Sequence, residues 1–257
     1  MIASLGMYDR PETAGAHDRL WGAIRDALRS RGVAAPDALT RGAQAYWEAW
    51  AAPDLALSQT CGFPYRAKLH GQVTLIGTPD YALPDCPPGH YYSVYVARAD
   101  DKRITLADFD GADFAYNEPM SQSGWAAPQT HAAALGLTLR PVLQSGGHRL
   151  SALAVAEGRA NLAALDAVTW ALLQRHDAFT RNLRVIGRTD PPTPALPYIA
   201  AKGADAGLYF DALQEAIADL AQADRETLLL RGVVRIAPED YLAVPTPPTP
   251  DQIAHKI

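Results

Sequence analysis

The stretch Tyr116-Asn117-Glu118-Pro119-Met120-Ser121-Gln122-Ser123-Gly124-Trp125 concentrates the most chemistry in this chain. A strand-like run ends here, Pro119 stops strand pairing, and two serines flank the start of a helical pattern. A helix start offers unpaired N–H groups and the positive end of the helix dipole, and hydroxyls add further donors. Such a place can hold a phosphate-like anion without a lysine. The plainer alternative is that Ser121 or Ser123 is only an N-cap. Gln144-Ser145-Gly146-Gly147-His148-Arg149 repeats the logic, with glycines that admit close backbone approach and His148 as a first-turn donor. It also reads as a plain loop with a solvent-facing histidine.

Weaker candidates surround these two. Ser58-Gln59-Thr60-Cys61-Gly62-Phe63-Pro64-Tyr65 puts small polar groups where a strand gives way to a turn. Cys61 as a nucleophile would need a base and a depressed pKa, so a buried structural thiol is the expectation. Tyr8 and Asp166 stand at carboxyl ends of predicted strands, where open α/β sheets place ligands. Asp166 also suits an N-cap for the helix from Ala167. Ser123, His148 and Asp166 could be read as a triad, but their chain order is none of the three common ones. The sequence has no G-x-S-x-G elbow, no G-x-x-x-x-G-K-[ST] loop and no H-E-x-x-H, and its histidines lack metal-ligand spacing. No metal and no cofactor are expected. Tyr46, Trp47 and Trp50 sit at helical spacing and are expected in a core.

The elements that must position these groups alternate. Strands are predicted at residues 2–7, 55–57, 73–77, 91–97, 113–117, 137–143, 162–165 and 183–188. Helices are predicted at residues 17–31, 121–135, 148–156, 167–175 and through 204–230, with Gly32 and Gly136 as stops. The proline-rich tail from Val244 to Pro250 reads as extended, without a packing pattern. Alternation of this kind predicts an α/β fold with largely parallel sheets. Two proline-marked segments, Pro84–Gly89 and Thr189–Pro194, suggest crossings between lobes. Lobe 1 would then hold residues 1–88 and 190–257, and lobe 2 residues 89–189.

Composition narrows the classes further. With 257 residues, 48% hydrophobic and 20% charged, the chain can bury a core without disulfide staples. A net charge of −5 lacks the basic footprint of a general nucleic-acid binder. Two cysteines exclude a disulfide framework and a four-thiolate zinc site. The first residues show no basic, apolar and small-residue pattern of a secretion signal, so a soluble protein without an export signal is the expectation.

Four blocks together resemble the phosphonate-binding family of periplasmic solute-binding proteins, the receptors of ABC importers for phosphate, phosphite and phosphonates. Tyr91-Tyr92-Ser93-Val94-Tyr95-Val96-Ala97-Arg98, with Leu106-Ala107-Asp108-Phe109-Asp110-Gly111, is similar to the family's crossover strand and L-A-D-L-x-G segment. Ser121-Gln122-Ser123-Gly124 resembles its S-T-S-G anion loop, with Gln122 where threonine is usual. Gly147-His148-Arg149-Leu150-Ser151 with Ala154-Val155-Ala156-Glu157-Gly158 is similar to its G-x-H-x-x-S-x-x-A-V-A-x-G helix. Ala163-Ala164-Leu165-Asp166 resembles its A-A-A-V-D block.

The resemblance implies a type II periplasmic-binding fold of two α/β lobes with a two-stranded hinge. It implies a non-enzymatic receptor, monomeric and partnered by an ABC permease, that grips a small oxyanion in the cleft. The implied ligand residues are Tyr8, Thr60, Tyr116, Ser121, Gln122, Ser123, His148 and Asp166. It implies a periplasmic location, while the unmarked N-terminus leaves a cytoplasmic one open. A same-fold enzyme or binder of a thiamine-pyrimidine precursor, and a cytoplasmic ligand sensor, stand as alternatives. A reducing compartment keeps thiols free, so titration of the unfolded, non-reduced protein should find both Cys61 and Cys86 as thiols. Finding neither would reverse that expectation and argue for an exported protein.

Overall fold

The computed structural model describes residues 1–255. In chain order its strands are β1 (Ile2–Ser4), β2 (Leu55–Gln59), β3 (Val73–Asp80), β4 (His90–Tyr91), β5 (Ser93–Arg98) and β6 (Ala112–Tyr116). They continue as β7 (Leu139–Gln144), β8 (Leu162–Asp166), β9 (Leu183–Arg188), β10 (Thr193–Pro194), β11 (Tyr198–Ala201) and β12 (Gly232–Val234). The helices that matter below are α1 (Ala14–Ser30), α2 (Ala127–Ala134), α3 (His148–Ala156), α4 (Ala167–His176), α5 (Ala206–Asp219), α6 (Gln222–Leu228) and α7 (Pro250–Ala254).

Two compact units share these elements. The first contains Met1–His90 and Pro194–Ala243, the second Tyr91–Thr193 and the chain from Val244 onward. The short strands β4 and β10, at two of the crossings, pair with each other.

In the first unit the sheet order is β1-β2-β11-β3-β12. Helix α1 forms because Leu20, Ile24 and Leu28 recur at helical spacing, and all three are buried beside Trp21. It stops at Gly32, whose φ of +79° closes a Schellman turn. There Gly32 N donates to Arg29 O and Val33 N to Leu28 O, both at 3.0 Å. Leu213 and Ile217 on α5 are buried as well, and α5 packs against α1. Trp50 is buried, but Tyr46 and Trp47 are 39% and 44% exposed. The expected aromatic core position therefore holds only for Trp50. Tyr46 instead spends its hydroxyl on Gly6 O, and Lys68 covers the Trp47 ring.

The second unit's sheet runs β7-β6-β8-β5-β9. Its centre, β8, is buried at every residue, which is why Leu162-Ala163-Ala164-Leu165 reads as a continuous apolar run. Both sheets are mixed rather than largely parallel. Pairs β1–β2, β6–β7 and β6–β8 are parallel. Strands that follow a crossing pair the other way: β5 is antiparallel to β8 and β9, and β11 to β2 and β3. A strand delivered from another unit need not obey the helical crossover rule that makes neighbours parallel.

Two further expectations are corrected. The helix expected over 121–135 opens with a wide turn at Gln122–Ala126, where Ala126 N donates to Ser121 O, before regular α2 begins. The helices expected through 204–230 are α5 and α6, separated at Leu220 and Ala221. The tail is extended over residues 244–249, as expected, but it packs, and it belongs with the second unit rather than the first. Thr249 and Gln252 form a capping box that starts α7, and Trp125 Nε1 donates to Pro248 O at 3.2 Å. Trp125 is fully buried.

Deleting residues 244–257 should therefore remove a hydrogen bond worth about 0.5–1.5 kcal/mol and uncover an indole. The second unit should melt several degrees lower, with red-shifted Trp125 emission. An unchanged melt and spectrum would show that the tail adds nothing to that unit.

Candidate functional site

Each unit places its candidate residues at one edge of its sheet, the carboxyl end of the parallel strands. In the second unit Tyr116 ends β6, Gln144 ends β7 and Asp166 ends β8, while Ser93 begins antiparallel β5 at the same edge. The structure brings Ser123 and His148 together: Ser123 Oγ lies 2.8 Å from His148 Nε2. Ser121 is the N-cap, its Oγ accepting from Gly124 N at 2.9 Å, so its own O–H remains a donor. Gln122 follows in the wide turn and is buried. The tilted Tyr116 and Trp125 rings lie 5.0 Å apart, and burial, foremost, raises the Tyr116 pKa.

Sequence reasoning missed two contributors. Ser93 Oγ donates to Ser123 O at 2.8 Å and pins the loop to the sheet. Asn117 lies over Gly124: a Cβ there would sit 1.9 Å from Asn117 Oδ1 and 3.2 Å from His148 Cε1. Any side chain at position 124 collides, so the glycine is fixed by close approach. Both residues stood within the quoted motifs, but only their spatial neighbours reveal the roles.

His148 is not the imidazolium that an anion-pairing role suggests. Burial pushes its pKa down to about 4, against an opposing pull from the Ala164 backbone. Its Nδ1 is buried and makes no hydrogen bond. No carboxylate therefore orients the ring, and the Ser123–His148–Asp166 triad is not assembled. Asp166 Oδ1 accepts from Val168 N at 2.7 Å and Thr169 N at 3.0 Å, capping α4. The neighbouring Arg149 is paired with Asp177 at 2.6 Å.

In the first unit Tyr8 packs edge-on against Tyr81 at 5.4 Å, beside a small cavity that Gln59, Tyr198 and His17 also line. Gln59 Nε2 donates to the Tyr81 hydroxyl and to Leu196 O. Thr60 is fully buried, its N donating to Pro197 O while Oγ1 has no hydrogen-bond partner. Cys61 is a buried thiol and Cys86 a half-buried one. Among the described residues no helix is long and apolar enough to cross a membrane, and no His, Cys, Asp and Glu cluster could hold a metal.

Two α/β units, each with a mixed five-stranded sheet and each assembled from two separate stretches of the chain, define the type II periplasmic binding protein class. The family model for the ABC transporter, phosphonate, periplasmic substrate-binding protein matches residues 21–241, and the chain belongs to this family. Solved structures share the fold. PhnD1 from Prochlorococcus marinus, in complex with methylphosphonate, is 15% identical with a TM-score of 0.70, covering 99% of this chain and 97% of that one. A Xanthomonas citri protein bound to ATP is 14% identical with a TM-score of 0.68, covering 99% and 95%. A binding protein component of an ABC phosphonate transporter from Pseudomonas aeruginosa is 15% identical with a TM-score of 0.66, covering 94% and 82%. No curated protein matches the chain.

The lowered His148 pKa has a definite sign. The unfolded chain takes up the proton first, near the ordinary 6.5, so stability is lost as pH falls from there toward about 4. The His148 ring signal should stay neutral from pH 8.5 to 5.5 by NMR, and sulfate affinity should be flat across that range. A midpoint near 6.5 would overturn the buried, neutral histidine.

Proposed function

We propose that this chain is the receptor of an ABC importer and binds a small phosphorus oxyanion, a phosphonate, phosphite or phosphate, without turning it over. The observation that carries the reading is the Ser123–His148 pair at 2.8 Å beside the Ser121 cap, at the start of a helix. Family membership supports the ligand class. The Ser121 hydroxyl, the N–H groups of the turn and the Gln122 carboxamide supply neutral donors. The Ser123–His148 pair supplies one more. When Nε2 carries the imidazole proton it donates to Ser123 Oγ, and the serine O–H turns to the anion. Tyr116 and Asp166 meet the remainder of the ligand, and Tyr8 and Thr60 of the first unit complete the proposed set.

The absence of turnover is supported by the unassembled triad and by a histidine too acidic to be an efficient base near neutral pH. We infer the periplasm as the working compartment and a permease as the partner, both by the family. No observation favours the thiamine-pyrimidine or sensor alternatives.

Titration calorimetry with methylphosphonate, phosphite, phosphate and sulfate tests the reading, and saturable binding of at least one phosphorus oxyanion is expected. Ser123→Ala should weaken it about ten- to hundredfold, the value of a hydrogen bond to charge at roughly 1.5–3 kcal/mol. Ser121→Ala should cost about 1 kcal/mol of stability as a lost cap, besides its effect on binding. A Ser123→Ala protein that binds its anion as well as the parent would remove the main support.

A further inference from the structure

We propose that the cavity in the first unit is a subsite for one uncharged hydroxyl group, so that the ligand is a hydroxyalkyl phosphonate rather than an aminoalkyl one. The inference rests on the oxyanion reading and names the substituent that accompanies the anion.

The strand ends place the cavity. Leu5 follows β1, Gln59 ends β2 and Tyr81 follows β3, three strands that run the same way. Tyr198 begins β11, which runs against β2 and β3, and so stands at the same edge. That is the edge where an α/β sheet receives its ligands. Tyr198 pairs directly with Gln59, which sends both side chains to one face of the sheet. His17 of α1 lines the cavity beside Tyr8, and leucines complete its wall.

Three polar groups around this cavity have bonding capacity left. Gln59 Nε2 donates to the Tyr81 hydroxyl at 3.2 Å and to Leu196 O at 3.1 Å, so both of its hydrogens are spent. Gln59 Oε1 has no donor among the described residues. The Tyr198 hydroxyl has no partner there either, and burial raises its pKa, so it keeps its proton. His17 Nδ1 has only acceptors around it, Thr13 O at 3.2 Å and Asp9 Oδ1 at 3.6 Å, and therefore carries the ring proton. Nε2 is left as a bare acceptor.

Gln59, Tyr198 and His17 are only 3%, 2% and 5% exposed, so bulk water does not satisfy these atoms freely. Polar atoms left this deep among leucines cost stability until something pairs them. Two acceptors beside a hydroxyl that can donate or accept suit a group that does both, as an alcohol does. The cavity has room for one water-sized group, which admits a hydroxyl and excludes a carboxylate or a ring. No carboxylate lines it. Asp9, beside His17 Nδ1, is held by Arg41 Nε at 2.6 Å. An ammonium group would therefore be buried without a counter-charge of its own.

Titration calorimetry on the native chain compares three pairs: hydroxymethyl- with methylphosphonate, 2-hydroxyethyl- with ethylphosphonate, and 3-hydroxypropyl- with propylphosphonate. At least one hydroxyl compound should bind about tenfold tighter than its alkyl partner. The aminoalkyl compound of the same length should bind no tighter than the alkyl one. Tyr198→Phe, checked for folding by circular dichroism, should bring the ratio within that pair to about one. Equal affinities in all three pairs, tighter binding of the amine, or a hydroxyl advantage that survives Tyr198→Phe would each overturn the subsite. Should Tyr198→Phe not fold, the three pairs on the native chain decide alone. Phosphonates that all bind alike would leave the oxyanion reading standing and remove the subsite. Binding of none of them would overturn both.

Discussion

Everything in the second unit's site depends on one hydrogen bond, between Ser123 and His148. These residues come from two different strand-to-helix junctions, after β6 and after β7, and the bond closes only if both junctions are in place. The parallel pairing of β6 with β7 sets their separation, through partners such as Tyr116 and Gln144. Ser93 ties the same loop to β5 from the other side. Asn117 over Gly124 fills the remaining space. A displaced strand at any of these points would move the serine from the imidazole, and donor and acceptor would part together.

The donors of the proposed site are neutral groups. Arg149, the one cation adjacent to His148 in the chain, is committed to Asp177. Burial keeps the histidine neutral. Hydroxyls and backbone N–H groups fixed in direction can replace the hydration shell of an oxyanion, as helix starts do elsewhere. Neutral donors hold an anion less by net charge than by the number and direction of hydrogen bonds. Selectivity then depends on which ligand oxygens carry protons.

Much of this was legible in the sequence, and the residues show why. His148–Ala156 and Leu183–Arg188 fall where periodicity and β-branched runs place them, because each has a consistent local pattern. Ser121, Ser123 and His148 were legible as donors from their places after strands and before helices. Their pairing was not, since neither spacing nor propensity reports which side chains meet across a sheet edge. The protonation of His148 was hidden too, for it depends on burial by segments distant in the chain. Mixed strand direction escaped the pattern because a returning chain chooses its direction by topology, not composition. The short helix after the proline-rich tail went unread, although Thr249 and Gln252 hold the spacing of a capping box.

That returning chain has a consequence for how the molecule is made. Strand β11 lies between β2 and β3, yet some 120 residues separate it from β3 in order of synthesis. While the ribosome is still adding the second unit, β2 and β3 have emerged with their facing edges unpaired. Such edges can pair with other chains. The second unit waits as well, because Pro248, the acceptor for Trp125, follows it only after the chain has passed through the first unit again. The first unit's sheet cannot be completed until β11 and β12 have followed the strands of the second unit, so a nascent chain stalled before residue 201 is a sticky intermediate rather than a finished half.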